Sequence, residues 1–223
     1  MTNVVYLHTH DLGRYSGPHG YPPRMPNLQR LAEQGTLYRN AFCAAPTCTP
    51  SRATLLTGQY PHQCGMYGLT NQGWTLNAPA RHLAAFLHRN GFETALMGCQ
   101  HVTAPDPQES RAMGYSRIGT RPEHESHDGL EPTTDAAEAF LASSPGTPFF
   151  VDVGCGITHH SRWDRSFCMS HDRLGDLDWR FVRPLPHLPD TPETRWEAAM
   201  QFKAAEYLDT QIGRVLTKKR MTI

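Results

Sequence analysis

No stretch of the chain approaches the roughly 20 consecutive apolar residues of a membrane-spanning helix, so the sequence predicts no transmembrane segment and no membrane partner. Net charge is absent as well. The 21 Lys plus Arg balance the 21 Asp plus Glu, leaving no global field to recruit nucleic acid or an anionic surface, and any anion must be held locally. The N-terminus passes from Met1-Thr2-Asn3 directly into Val4-Val5-Tyr6-Leu7 without a basic region or a small-residue cleavage site, which predicts a cytoplasmic location. No Cys-x-x-Cys pair occurs among Cys43, Cys48, Cys64, Cys99, Cys155 and Cys168, so reduced thiols are expected rather than a disulfide framework. Repeats, low-complexity tracts and linkers are missing too, and 223 residues with 39% hydrophobic content suffice for one domain with a sizeable core.

What the chain does have is an alternation of apolar strands and capped helices. Strands are predicted over Asn3 to His8, Thr36 to Phe42, Phe92 to Met97 and Pro148 to Val153. Helices are predicted over Pro26 to Gln34, stopped by Gly35, over Pro79 to Asn90, stopped by Gly91, over Thr134 to Ala142 and over Glu193 to Leu216. That order implies an α/β fold, a mostly parallel sheet with helices on both faces. The stretch from His159 to Thr194 has no clear period and reads as a long loop, either functional or poorly ordered. Of 13 histidines, His8, His10, His101, His159 and His160 fall at ends of predicted strands, where α/β proteins place their sites.

The most specific stretch is Cys48-Thr49-Pro50-Ser51-Arg52, followed by Ala53-Thr54-Leu55-Leu56-Thr57-Gly58. Pro46 and Pro50 restrict the backbone, and a short helix from Ser51 is expected to end at Gly58. Cys48 then lies just before a helix N-terminus, where backbone N–H groups and the helix dipole favour an anion, with the permanent charge of Arg52 in the first turn. Taken singly, Cys48 reads equally as a buried structural thiol beside an N-capped helix.

The run Cys-x-Pro-Ser-Arg with its helical sequel resembles the signature of type I sulfatases. The resemblance implies an alkaline-phosphatase-like α/β/α sandwich, oxidation of Cys48 to formylglycine by a formylglycine-generating enzyme, and hydrolysis of a sulfated small molecule or glycan by the aldehyde hydrate, with Arg52 steadying that hydrate. Asn3-Val4-Val5-Tyr6-Leu7-His8-Thr9-His10-Asp11-Leu12-Gly13 is similar to the family's first strand, which commonly ends in Asp-Asp-x-Gly and gives two carboxylates to a calcium ion. The resemblance therefore implies a divalent metal, Ca2+ in the family, at Asp11, at His10 and at the modified Cys48. His10 departs from the pattern, because imidazole is a less natural ligand for calcium; direct ligation, a supporting or substrate-binding role, and a simple cap of the strand end all stay open.

Gly98-Cys99-Gln100-His101 occupies the place of the family's Gly-Lys-x-His element, which carries His101 over as a sulfate-contacting residue and puts Cys99 where the Lys is usual. Gly154-Cys155-Gly156-Ile157-Thr158-His159-His160 resembles the segment ending in a His near the leaving oxygen. His159, or His160 one residue on, is the expected proton donor there. The regions around Cys48, Gly65 to Leu69 and Gly98 to Val102 look closest to heparan N-sulfatase-like members, which points to sugar N-sulfates or O-sulfates. Only the N-terminal part of the family pattern is matched. The sequence thus reads as a sulfatase N-terminal catalytic domain ending before the C-terminal metal ligands, with a weakened metal shell. Two alternatives remain, a phosphate or phosphonate ester hydrolase of the same superfamily and a non-catalytic remnant that binds an anion or a partner.

Overall fold

Val4–His8 forms strand β1 of the computed structural model, which describes residues 3–119, 130–143, 146–160, 167, 175 and 177–217. Along the chain follow α1 (Pro26–Gln34), α2 (Cys48–Thr57), α3 (Pro61–Cys64), α4 (Leu83–Arg89), β2 (Glu93–Gly98), α5 (Pro107–Ala112), β3 (Arg117–Ile118), α6 (Leu130–Ser143), β4 (Phe149–Gly154) and α7 (Pro192–Leu216). Cys168 and much of the long loop expected between His159 and Thr194 lie outside the described residues. No described helix is long and apolar enough to cross a membrane.

The described residues divide into two compact units. Of the described residues, the first holds those up to His8, from Asn40 to Gly119, and from Pro132 to Cys155. Its sheet has the order β1-β4-β2-β3 with every pair parallel, and β4 lies between β1 and β2 with Tyr6 opposite Asp152 and Leu96 opposite Asp152. Strands covered on both faces need apolar side chains throughout rather than in alternation, and every residue of β4 is buried. Leu96 and Phe150 of the sheet share a core with Ala53 and Leu56 of α2 and with Met66 and Met113.

Local chemistry explains the helix boundaries. The segment expected as one helix from Pro79 to Asn90 is a 3-10 turn at Pro79–Arg81 and then α4, broken at His82, which is extended at φ −61° and ψ 145°. Its ring replaces the missing turn: Ala84 N–H donates to His82 Nδ1 at 3.1 Å, an N-cap made by imidazole. Burial pushes the His82 pKa from 6.5 down to about 4, opposed by Asp152.

A pKa lowered in the folded state means that the unfolded chain takes up the proton first on acidification. His82 therefore stabilises the fold above pH 6.5, and that contribution is lost as pH falls toward 4. The displacement corresponds to about 3 kcal/mol. His82→Asn keeps a capping acceptor and removes the titration, so urea midpoints measured from neutral pH downward should fall less steeply for the variant than for the natural chain. Parallel pH profiles would rule this out.

The strand expected over Thr36 to Phe42 does not form. Those residues join none of the four described strands, and Tyr38 and Phe42 are 75% and 91% exposed. β-branched and aromatic residues favour strands because they pack on a half-buried pleated surface, and without such a surface the preference has nothing to act on.

The second unit runs from Thr9 to Arg39 and from Gly156 onward, and is built on α1 and α7. Thr191 caps α7, accepting from Thr194 N–H at 3.3 Å with Pro192 in the first turn. The buried carboxylate of Asp209, on α7, receives the backbone N–H groups of Asn27 at 3.0 Å and Leu28 at 2.8 Å, satisfying open donors at the start of α1 and placing a negative charge at its positive end.

Candidate functional site

Cys48 is the first residue of α2, which starts three residues before the Ser51 expected from the sequence. Thr47 precedes it in extended backbone (φ −111°, ψ 146°), and Gly58 closes the helix in the left-handed region at φ 67°. The thiol is free and half-buried. Pro50 sits in the first turn, where its missing N–H has no intrahelical use. Arg52, one turn on, is only 8% exposed.

A buried polar chain reaches Arg52 from the sheet. Arg52 Nη1 donates to His8 Nδ1. Guanidinium cannot accept, so the His8 proton sits on Nε2, which donates to Asp152 Oδ1 at 2.8 Å. The other carboxyl oxygen of Asp152 accepts from Tyr115 OH at 2.5 Å. His8 is thus a neutral ring bridging a cation and a carboxyl group. Burial drives its pKa below 6.5, with Asp152 opposing and Arg52 adding to the decrease. Desolvation and the nearby Asp152 raise the phenols instead, Tyr6 to about 12 and Tyr115 well above 10. Cys155 is pushed up to about 12 by burial, which makes it an inert thiol.

Sequence reasoning singled out Arg52 and noted His8, but missed Asp152 and Tyr115. A signal was present. Asp152 interrupts the apolar run Phe149-Phe150-Val151-Asp152-Val153, and a carboxylate in a fully buried strand has to be partnered.

His101 lies in the same unit, half-buried and with left-handed backbone at φ 51°. Gln100 shapes its turn: Gln100 Oε1 accepts from Val102 and Thr103 N–H, and Gln100 Nε2 donates to Thr103 Oγ1 at 2.8 Å. Cys99 is half-buried, and its N–H donates to Gly154 O at 3.0 Å.

In the second unit the structure brings His10, Asp11 and His159 together. One ligand atom from each lies within 4.8 Å of the others. His10 is buried, and its ring stands edge-on to His159 with centroids 4.9 Å apart. Asp11 (φ 46°) and Thr158 (φ 71°) hold left-handed backbone, unusual for residues with a side chain and more so for β-branched Thr158. Thr158 Oγ1 donates to His10 O, and Gln201 Nε2 on α7 donates to Asp11 O at 3.3 Å. His159 Nδ1 donates to His160 O at 3.1 Å. His160 N–H points to Asp11 Oδ2 at 3.4 Å.

The sequence model of the Sulfatase family matches residues 2–219. The chain belongs to the sulfatase family. It is 29% identical to human N-sulphoglucosamine sulphohydrolase over 243 residues, taking in 98% of this chain and 47% of the human protein. It is 35% identical over 242 residues to the ulvan-active sulfatase of Formosa agariphila, 96% of this chain and 40% of that one. The chain therefore spans less than half the length of these two relatives. Among solved structures, the phosphonate monoester hydrolase of Agrobacterium radiobacter superposes with a TM-score of 0.70 at 18% identity, over 98% of this chain and 59% of that one. The fold is the alkaline-phosphatase-like α/β fold of these enzymes.

Sulfatases in general combine a formylglycine with a divalent metal. Cys48 fits the first requirement, as a half-buried thiol at the start of a helix whose open N–H groups and dipole favour an oxyanion. Asp11 fits the second, as an exposed carboxylate beside two imidazoles.

Proposed function

We propose that this chain carries the nucleophile of a sulfatase that hydrolyses sulfate esters or N-sulfates of sugars, with Cys48 converted to formylglycine. The observation that supports it best is the placement of Cys48 as first residue of α2, one turn from an Arg52 held through His8 by the buried Asp152. Both named relatives act on sulfated compounds, N-sulphoglucosamine in one case and ulvan in the other.

The chemistry assigned to these residues is a double displacement. A formylglycine-generating enzyme, with dioxygen as the oxidant, carries out the two-electron oxidation of Cys48 Cβ to an aldehyde as the C–S bond breaks and the sulfur leaves as sulfide, and water adds to give two hydroxyls on one carbon. One hydroxyl oxygen attacks sulfur as the bond to the departing sugar oxygen or nitrogen breaks. Loss of the proton from the second hydroxyl then re-forms the carbonyl and expels sulfate, and a new water restores the hydrate. Arg52 supplies a fixed positive charge beside the hydrate, and His101 is the sulfate-contacting residue of this element. Asp11 would hold the divalent metal, which as a Lewis acid supplies positive charge when bound. Cys99 cannot offer the charged hydrogen bond of the family Lys, so ground-state sulfate binding should be weak.

Peptide mass spectrometry across Cys48, on chain co-expressed with a formylglycine-generating enzyme, tests the reading. Conversion of the thiol to an aldehyde is expected, and Cys48→Ala should abolish any sulfate ester hydrolysis. A thiol that persists while a control substrate is modified in the same cells would overturn the proposal.

A further inference from the structure

The resemblance to sulfatases implies calcium, yet the donors gathered in the second unit do not suit it. Calcium takes six to eight oxygen ligands. Here one ligand atom from each of His10, Asp11 and His159 lies within 4.8 Å of the others, two imidazoles and one carboxylate. Imidazole is a borderline donor that favours zinc, copper, nickel and iron over hard, oxygen-loving cations. Tetrahedral zinc bonds of about 2.0–2.2 Å set donors roughly 3.3–3.6 Å apart, within the 4.8 Å limit inside which these three atoms lie.

The surroundings support a cation. Gln201 Oε1 is buried and has no hydrogen-bond partner among the described residues, while Gln201 Nε2 holds the backbone carbonyl of Asp11. With His159 Nδ1 donating to the His160 carbonyl, Nε2 is the nitrogen that would bind a cation.

We propose that His10, Asp11 and His159 form a site for one borderline divalent transition cation, of which Zn2+ is the test case, in place of the family's calcium. The binding claim stands on these residues alone, and its catalytic use rests on the sulfatase reading above. It moves His159 from the proton-donor role to that of a ligand.

The test is calorimetric titration of chelator-stripped full chain with Zn2+ and with Ca2+, together with visible absorption of Co2+ as a reporter of nitrogen ligation. One Zn2+ per chain should bind about 100-fold more tightly than Ca2+. His159→Ala and Asp11→Asn, at half-buried and exposed positions where folding is safe, should each weaken Zn2+ by about 10-fold or more and shift the Co2+ bands. His10→Asp should reverse the preference toward Ca2+. Tighter binding of Ca2+ than Zn2+ by the natural chain, or Zn2+ binding untouched by His159→Ala and Asp11→Asn, would overturn the proposal. Zn2+ preference with an unmodified Cys48 would sink the sulfatase reading and leave this site standing; an aldehyde at Cys48 with Ca2+ preferred would do the reverse.

Discussion

Replacing Asp152 with alanine is expected to destabilise the fold by about 3–5 kcal/mol, the cost of removing one partner from a buried polar network. Asp152 is fully buried in the middle of β4 and receives Tyr115 OH on one oxygen and His8 Nε2 on the other. Without it both donors are left in an apolar interior, each with a desolvation penalty of about 1–3 kcal/mol. Asp152→Asn should fall between, since the amide can still accept on its oxygen but presents N–H to the second donor. Asp152→Ala also frees the His8 ring, and with it the guanidinium of Arg52 beside Cys48. Urea unfolding gives the stability change. A loss below about 1 kcal/mol would mean that the network contributes nothing net.

Gly154→Ala should cost more than about 3 kcal/mol, because the new methyl meets backbone rather than a side chain that can rotate away. At Gly154 a Cβ would stand 1.8 Å from the carbonyl oxygen of Cys99 and 2.8 Å from the His8 ring. The contact is reciprocal at the strand ends: a Cβ on Gly98, itself at φ 82°, would stand 2.3 Å from Gly154 O. Relief requires β2 and β4 to part where Cys99 N–H bonds Gly154 O, the hydrogen bond that positions the Gly98 to His101 turn. Gly156→Ala, which meets nothing within 4 Å, is the control and should change stability by no more than about 0.5 kcal/mol. Thermal unfolding of the two variants side by side decides the matter. Equal midpoints would show that the strand ends yield easily.

Helices with strong local punctuation were legible to the residue. Pro26 and Gly35 bound α1, and Gly58 closes α2 as expected, although α2 starts three residues before Ser51. The long α7 differs from its expected span by a single residue at the start. Short elements such as α3 and β3 passed unnoticed because four residues, or two, carry no measurable period. His82 was read as the interior of a helix when it is the cap of one, since imidazole capping has no common sequence signature.

The sequence by itself determined that the chain is α/β, that Cys48 lies at the N-terminal end of a helix carrying Arg52, and that Asp11, His10 and His159 lie beside strand ends. These are local properties, written in caps, apolar runs and one short motif. Tertiary structure alone decided that His8, Asp152 and Arg52 form one buried chain and that His10, Asp11 and His159 converge. Those contacts join residues 44 to 149 positions apart. The strand order β1-β4-β2-β3 and the left-handed turns at Asp11 and Thr158 create them, and neither follows from the preferences of any short segment.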